Sequence, residues 1–202
     1  MKKSLFLIVL ALVSITFANA QNFSIGARLG LNDANQSFSA SGASVSPSSK
    51  IGYLIGGYAK FMFNDNIGLQ PELLFSSVGS KWPASLTGGS EATIRMNYIS
   101  IPVLFRYNIT ENFHLLAGPQ LGLLMSAKGI SGGTTTDIKS DFNSSDFSAV
   151  IGAGVDFGPF NAGLRYCAGL TNIANSSSFG GSSVTVKNTA LQLVVGYKLF
   201  GK

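Results

Sequence analysis

The chain has 202 residues, enough for one domain of ordinary size, and is 46% hydrophobic with only 11% charged residues and a formal charge of +5. So sparse a charge leaves much of the surface to be covered by something other than water, and so small and scattered a positive excess excludes a nucleic-acid binder. Cys167 is the one cysteine, which excludes an intramolecular disulfide.

The start combines Met1-Lys2-Lys3, an uncharged run from Ser4 to Ala18, and the small-x-small triplet Ala18-Asn19-Ala20. These are the three parts of a secretory signal peptide. Residues 1–20 are therefore expected to be removed, leaving a mature domain over 21–202 with 12 basic and 9 acidic side chains. No cysteine follows the cleavage site to carry a lipid. Beyond it, no run reaches the ~20 apolar residues of a transmembrane helix, and no segment reads as a helix of any kind.

What recurs instead is alternation with a period of two, the signature of strands with unlike faces. Strand one starts at Phe23, with Phe23, Ile25, Ala27, Leu29 and Leu31 on one face and Ser24, Gly26, Arg28, Gly30 and Asn32 on the other. A loop of small and polar residues, Asp33 to Lys50, precedes strand two, Ile51 to Phe63, in which Tyr53, Ile55 and Phe61 oppose Gly56, Tyr58 and Lys60. After the turn Asn64-Asp65-Asn66, strand three, Ile67 to Ser77, sets Leu69, Leu73 and Phe75 against Gln70 and Glu72. A loop from Val78 to Thr93 leads to strand four, Asn97 to Tyr107, in which Ile99, Ile101, Val103, Phe105 and Tyr107 oppose Ser100, Pro102 and Arg106.

Strand five, Phe113 to Met125, sets Leu115, Ala117, Leu121 and Leu123 against His114, Gly118, Gln120 and Gly122, and the loop Ala127 to Ser145 follows. Strand six, from Phe147 to Phe157, opposes Ile151 and Val155 to Ser148, Gly152, Gly154 and Asp156, and Gly158-Pro159 turns it into strand seven. There Leu164, Tyr166 and Leu170 face away from Asn161, Arg165 and Cys167. After the loop Thr171 to Lys187, strand eight sets Leu191, Leu193, Val195, Tyr197 and Leu199 against Gln192, Gly196 and Lys198.

Eight strands joined alternately by long polar loops and short turns predict an all-β fold, an eight-stranded antiparallel up-and-down transmembrane β-barrel with both termini periplasmic. Each strand has about the 9 to 11 residues that a tilted crossing needs, and closure pairs every backbone group that lipid cannot satisfy. The charged face must then point inward, since one such side chain at mid-membrane on the lipid face costs about 2–4 kcal/mol. Eight strands enclose only enough room for side chains, so a packed interior of charges, amides and glycines is expected rather than a channel. Its charge network is Arg28, Lys60, Glu72, Arg106, Asp156, Arg165 and Lys198, with Glu72 and Asp156 each paired to an inward base, because an unpaired buried carboxylate is costly. Pro71, Pro102 and Pro119 fall within strands of a barrel that has no edge, so bulges or ladder breaks are expected there, toward the periplasmic half. Tyr53, Tyr107, Tyr166, Tyr197, Phe63 and Phe113 sit where interfacial aromatic girdles would lie.

The sequences Leu69-Gln70-Pro71-Glu72-Leu73, Tyr98-Ile99-Ser100-Ile101-Pro102-Val103-Leu104 and Ala117-Gly118-Pro119-Gln120-Leu121-Gly122 resemble the PorT-like outer-membrane β-barrel proteins of Bacteroidetes, OmpA/OmpX-like eight-stranded barrels. So do Gly152-Ala153-Gly154-Val155, Leu164-Arg165-Tyr166 and Gly169-Leu170-Thr171-Asn172-Ile173. The resemblance covers the mature chain and implies an outer-membrane location, with the strand prolines as a shared feature. Its name-giving member is associated with protein secretion. One departure is that Phe200 lies on the parity opposite the outward row, where such barrels commonly end on an outward aromatic.

Neither catalysis nor a cofactor is expected. His114, the one histidine, has no partners for a metal site and lies at the end away from the long loops. Cys167 is far from it and reads as a small buried side chain. Gly152-x-Gly154 lies within a strand and so is no dinucleotide site. The expected role is structural, or binding through the long loops, by a monomer whose partners are outer-membrane lipids. The alternative is an accessory part of a secretion or envelope assembly system, with other envelope proteins as partners.

Overall fold

The computed structural model describes residues 23–40, 43–45, 47–87, 89–175 and 184–201; the expected leader, residues 1–20, lies outside them. Among the described residues there are ten antiparallel strands: β1 (Phe23–Ala40), β2 (Ala43–Val45), β3 (Ser48–Met62), β4 (Ile67–Trp82), β5 (Ala92–Asn108), β6 (Phe113–Ser131), β7 (Thr134–Asp137), β8 (Ser145–Phe157), β9 (Phe160–Gly169) and β10 (Val184–Gly201). Eight of them form a ring in the order β1-β3-β4-β5-β6-β8-β9-β10, and β10 closes it by pairing with β1 from Ser24↔Gly201 to Ala40↔Val184. The remaining two, β2 and β7, are short additions to β1 and β6 in the long connections.

The short connections share one end of the barrel with the chain ends, and local chemistry makes them tight. Asn64 Oδ1 accepts from the backbone N–H groups of Asn66 and Ile67 at 2.9 and 2.8 Å. Thr110 Oγ1 accepts from Phe113 N–H at 3.0 Å, and Gly158 turns with φ +61°, a conformation costly for residues with a Cβ. At the other end the strands run well past their expected limits, β1 to Ala40, β4 to Trp82 and β6 to Ser131. There Lys81, Arg95 and Lys128 are exposed on the outer face while the inward positions mix Gln36 and Ser80 with Met96, Tyr98 and Val186, so the apolar outer row ends and the period-two signal is lost although the ladder continues. The expectation of no helix also fails in a small way: a single helical turn, Ala84–Thr87, and a 3-10 turn, Lys139–Asp141, lie in long connections.

Alternation sorts the side chains as hydrophobicity requires. Ile55, Ile151, Leu164 and Leu193 are half or more exposed on the outer wall, while Arg28, Glu72, Arg106, Arg165 and Gln192 are buried inside. The aromatics Tyr53, Tyr107, Tyr166, Tyr197, Phe63 and Phe113 all face outward. The parity of Phe200 is corrected by a bulge: the β1–β10 register shifts at Ile25/Gly26, so Phe200 pairs with outward Ile25 while Lys198 pairs with Gly26. One extra residue in β10 thus returns Phe200 to the outer wall, where it is 70% exposed.

Each strand proline keeps its pairing on one side and loses it on the other. Pro71, Pro102 and Pro119 pair with Val103, Gln120 and Ala149 on the following strands. Toward the preceding strand the ladder is interrupted, from Tyr58↔Glu72 to Phe61↔Leu69, from Pro71↔Val103 to Leu74↔Ser100, and from Pro102↔Gln120 to Phe105↔Ala117. The missing N–H of each proline accounts for the gap. These gaps form a stripe across four strands, in the half nearer the short turns, without changing the register on either side of them.

Leu193 stands midway along the outer wall, paired with Leu31 and Leu164. Leu193→Arg is expected to cost about 2–4 kcal/mol of stability in a bilayer, read as a lower urea midpoint for unfolding from lipid vesicles. A midpoint equal to that of the parent would mean that this face does not meet hydrocarbon.

Candidate functional site

The lumen is built in successive levels from the short-turn end. First come Arg106 on β5 and Asp156 on β8, joined as an ion pair, with His114 Nδ1 3.7 Å from the same Asp156 oxygen. Arg106 also donates from Nε to Asn108 Oδ1 at 2.9 Å and from Nη1 to Gln70 Oε1 at 3.3 Å. Next is Glu72, placed on β4 by the inward parity it shares with Gln70. Its carboxylate accepts two hydrogen bonds of 2.8 Å from Arg165 of β9, lies 3.2 Å from Arg28 Nη1 of β1, and accepts a third bond from Gln70 Nε2 at 2.7 Å. Arg28 stacks over the Tyr58 ring at 4.6 Å and donates to Asn161 Oδ1, while Asn161 Nδ2 donates to Tyr58 Oη. A bidentate arginine and a second guanidinium around one carboxylate form a strong, directional arrangement.

Lys60 and Lys198 lie at the mouth beside Arg106 and Asp156, away from Glu72. Among the described residues they form no ion pair; they line a polar cavity of about 220 Å³ at the short-turn mouth together with Tyr58, Arg106, Asp156 and Asn161.

The interior is not polar throughout, as the sequence led us to expect. One step further along the strands from the charges, Leu54, Leu74 and Val194 pack together, and Leu104, Leu116, Val150, Cys167, Ala34 and Ala190 form a second apolar cluster. A polar level follows, in which Gln36 Nε2 donates to Asn188 Oδ1, Ser80 Oγ donates to Gln36 Oε1, and Asn188 Nδ2 donates to Asp146 Oδ2, at 2.8–3.0 Å. A third apolar group, including Met96, Tyr98, Leu124, Phe142, Ile173 and Val186, fills the long-loop end. Inward leucines carry no periodic signal, because a single apolar residue between polar ones leaves the outer row unchanged.

Cys167 lies in the middle apolar cluster, where Gln120 Nε2 donates to its sulfur at 3.3 Å. His114 is near Asp156, so the structure does not bring these two side chains together as a catalytic pair. Among the described residues no group of three or more His, Cys, Asp and Glu side chains is placed to hold a metal ion. What the lumen can do chemically is hold the wall together from within.

A family model described as outer membrane protein beta-barrel domain matches residues 19–175. Among solved structures, the chain is similar to neisserial surface protein A, at 17% identity and a TM-score of 0.52 over 88% of this chain and 97% of that one. Ail, the attachment invasion locus protein of Yersinia pestis, matches at 17% identity and 0.49 over 88% and 99%. OprG of Pseudomonas aeruginosa matches at 15% and 0.46 over 91% and 97%. Among curated proteins none matches. At 17% identity the likeness to neisserial surface protein A concerns the fold alone; the family model, which matches most of the sequence, settles membership. The chain belongs to the outer membrane protein beta-barrel domain family.

Proposed function

We propose that this protein is a closed, non-catalytic barrel of the bacterial outer membrane, with its long loops outside and both chain ends in the periplasm after loss of residues 1–20. Its work is structural, or is done by those loops, and its immediate partners are lipids around a monomeric wall. The filled lumen supports this reading: Glu72, Arg28 and Arg165 span the interior, and three apolar groups occupy it beyond them. A barrel of eight strands leaves no space beside such a filling for an aqueous pathway.

The test joins orientation to conductance. In intact cells a membrane-impermeant maleimide is expected to label Thr135→Cys, on the exposed tip strand β7, and to leave Glu111→Cys unlabelled in its short turn. The purified barrel is expected to give no steady conductance in planar bilayers. The reverse labelling pattern would invert the orientation, and stable single-channel steps would replace the sealed barrel by a pore.

The second reading is a PorT-like accessory role in secretion or envelope assembly. It is favoured by the proline motifs, whose stripe of interrupted ladder crosses β3 to β6. Specific co-purification of envelope proteins, lost when the stripe is altered, would support that role over the first.

A further inference from the structure

The outer wall at the long-loop end changes character in regular steps across β3 to β6. Ile55, Phe75, Ile99 and Leu123 form an apolar row of cross-strand partners. Two residues further along β4 and β5, and three along β6, buried Ser77 pairs with Asn97 and Asn97 with Ser126, with the Tyr53 ring beside Phe75 at 6.1 Å. After two more residues the row becomes basic, with Gly79 opposite Arg95 and Arg95 opposite Lys128. At about 3.3 Å per residue, hydrocarbon gives way to cations within ~13 Å of strand.

Four basic residues gather there. Arg95 and Lys128 are brought face to face by the register shift between Asn97 and Tyr98, and both are exposed. Lys81, also exposed, stands opposite Thr93, two residues from Arg95 on the same face. Lys50 reaches the same place through an opening in the wall. The β3–β4 ladder is interrupted between Ser49↔Ser80 and Leu54↔Ser76, and Asn32 from β1 donates across the gap to the carbonyls of Tyr53 and Ser77 at 3.2 and 3.0 Å. The resulting cavity, about 340 Å³, is lined by Lys50, Tyr53, Ser77, Arg95 and Asn97. Lys50 lies within electrostatic reach of Arg95 and Lys81. Two acids are nearby, Asp137 opposite Lys128 and Glu91 beside Lys81; among the described residues neither forms an ion pair with any of the four bases.

Like charges directly opposite each other on a sheet are destabilising, and three exposed cations, Lys81, Arg95 and Lys128, with Lys50 buried behind them and its Nζ donating to the Ile51 carbonyl at 3.3 Å, favour an anion beside them. We propose that this wall binds the phosphates of a multiply phosphorylated glycolipid of the outer leaflet, with its acyl chains along the Ile55–Phe75–Ile99–Leu123 row and one phosphate in the cavity of Lys50, Arg95, Tyr53 and Asn97. The cations span β3 to β6, three strand spacings or about 14 Å, which is too broad for a single phosphate and fits a headgroup carrying more than one. The proposal extends the function given above and rests on its outward placement of the long loops.

The test uses the full barrel in phosphatidylcholine nanodiscs containing diphosphoryl lipid A, with bound lipid A counted by native mass spectrometry. Nanodiscs expose both ends of the barrel, so the result is independent of the labelling experiment on orientation. Arg95→Gln/Lys128→Gln, which removes the opposed like charges without touching the lumen, is expected to weaken retention roughly 30-fold, from about one headgroup-level interaction per lost cation. Lys60→Gln/Lys198→Gln, with the same charge loss at the opposite mouth, is expected to retain lipid A as the parent does. Dephosphorylated lipid A is expected to bind the parent at least as weakly as diphosphoryl lipid A binds the first variant. Unchanged retention by Arg95→Gln/Lys128→Gln, an equal loss in both double variants, or equal binding of dephosphorylated lipid A would each overturn the proposal. So would displacement of diphosphoryl lipid A by an equal amount of phosphatidylglycerol.

Discussion

Glu72→Ala is expected to lower the stability of the barrel by about 3–5 kcal/mol, the cost of removing one partner from a buried ion cluster. The side chain of Glu72 is fully buried and its arginine partners nearly so, Arg165 at 1% and Arg28 at 3% exposure. Alanine would leave two guanidinium groups facing each other across the lumen with no counter-charge and little water. The loss should appear as a lower urea midpoint for unfolding from lipid vesicles, followed by the different gel mobilities of folded and unfolded barrel. Glu72→Gln separates charge from packing: if the carboxylate charge carries the effect, glutamine is nearly as damaging as alanine. Arg165→Met added to Glu72→Ala should recover part of the loss, since it removes one of the two orphaned cations. A midpoint for Glu72→Ala equal to that of the parent would mean that Arg28 and Arg165 find water or other acceptors, and that the cluster does not hold the wall together.

The position of that cluster was legible in the sequence because lipid imposes a severe condition on every strand. Arg28, Glu72, Arg106, Asp156 and Arg165 each lie on the parity opposite a long apolar row, and none could point outward cheaply. Which of them meet was not legible, since Glu72 touches residues from β1 and β9 that lie 44 and 93 positions away, and parity gives a face without giving a height. The same limit explains Lys60 and Lys198, which have the right face but lie at the mouth, beyond the reach of Glu72. Phe200 was misplaced because a bulge shifts parity by one without altering composition. The basic wall depends on two such irregularities, the shift at Asn97/Tyr98 and the gap between Ser49 and Leu54. Arg95 and Lys128 have opposite parity in the sequence and the same face in the fold, so no count along the chain could have joined them.

Leu104→Ala is expected to cost about 2–5 kcal/mol, the range for emptying a buried leucine site that cannot collapse. Leu104 is fully buried in the lumen, packed among Leu116, Val150, Cys167 and two alanines. Its surroundings are fixed by backbone: a Cβ on Gly118 of β6 would lie 2.1 Å from the Val103 carbonyl and 3.0 Å from Leu104 Cα. The two strands are therefore already as close as a glycine allows, and cannot move in to fill a void. Leu193→Ala is the matched control on the outer wall, where Leu193 is 53% exposed and a lipid chain can occupy the vacated space, so its cost should be clearly smaller. The comparison requires only urea midpoints measured in the same vesicles. If Leu193→Ala costs as much as Leu104→Ala, the apolar lumen packs no better than the lipid-facing wall. An unchanged midpoint for Leu104→Ala would go further: a lumen loose enough to absorb that loss is not tightly packed at this apolar level, and the sealed barrel would lose its physical basis.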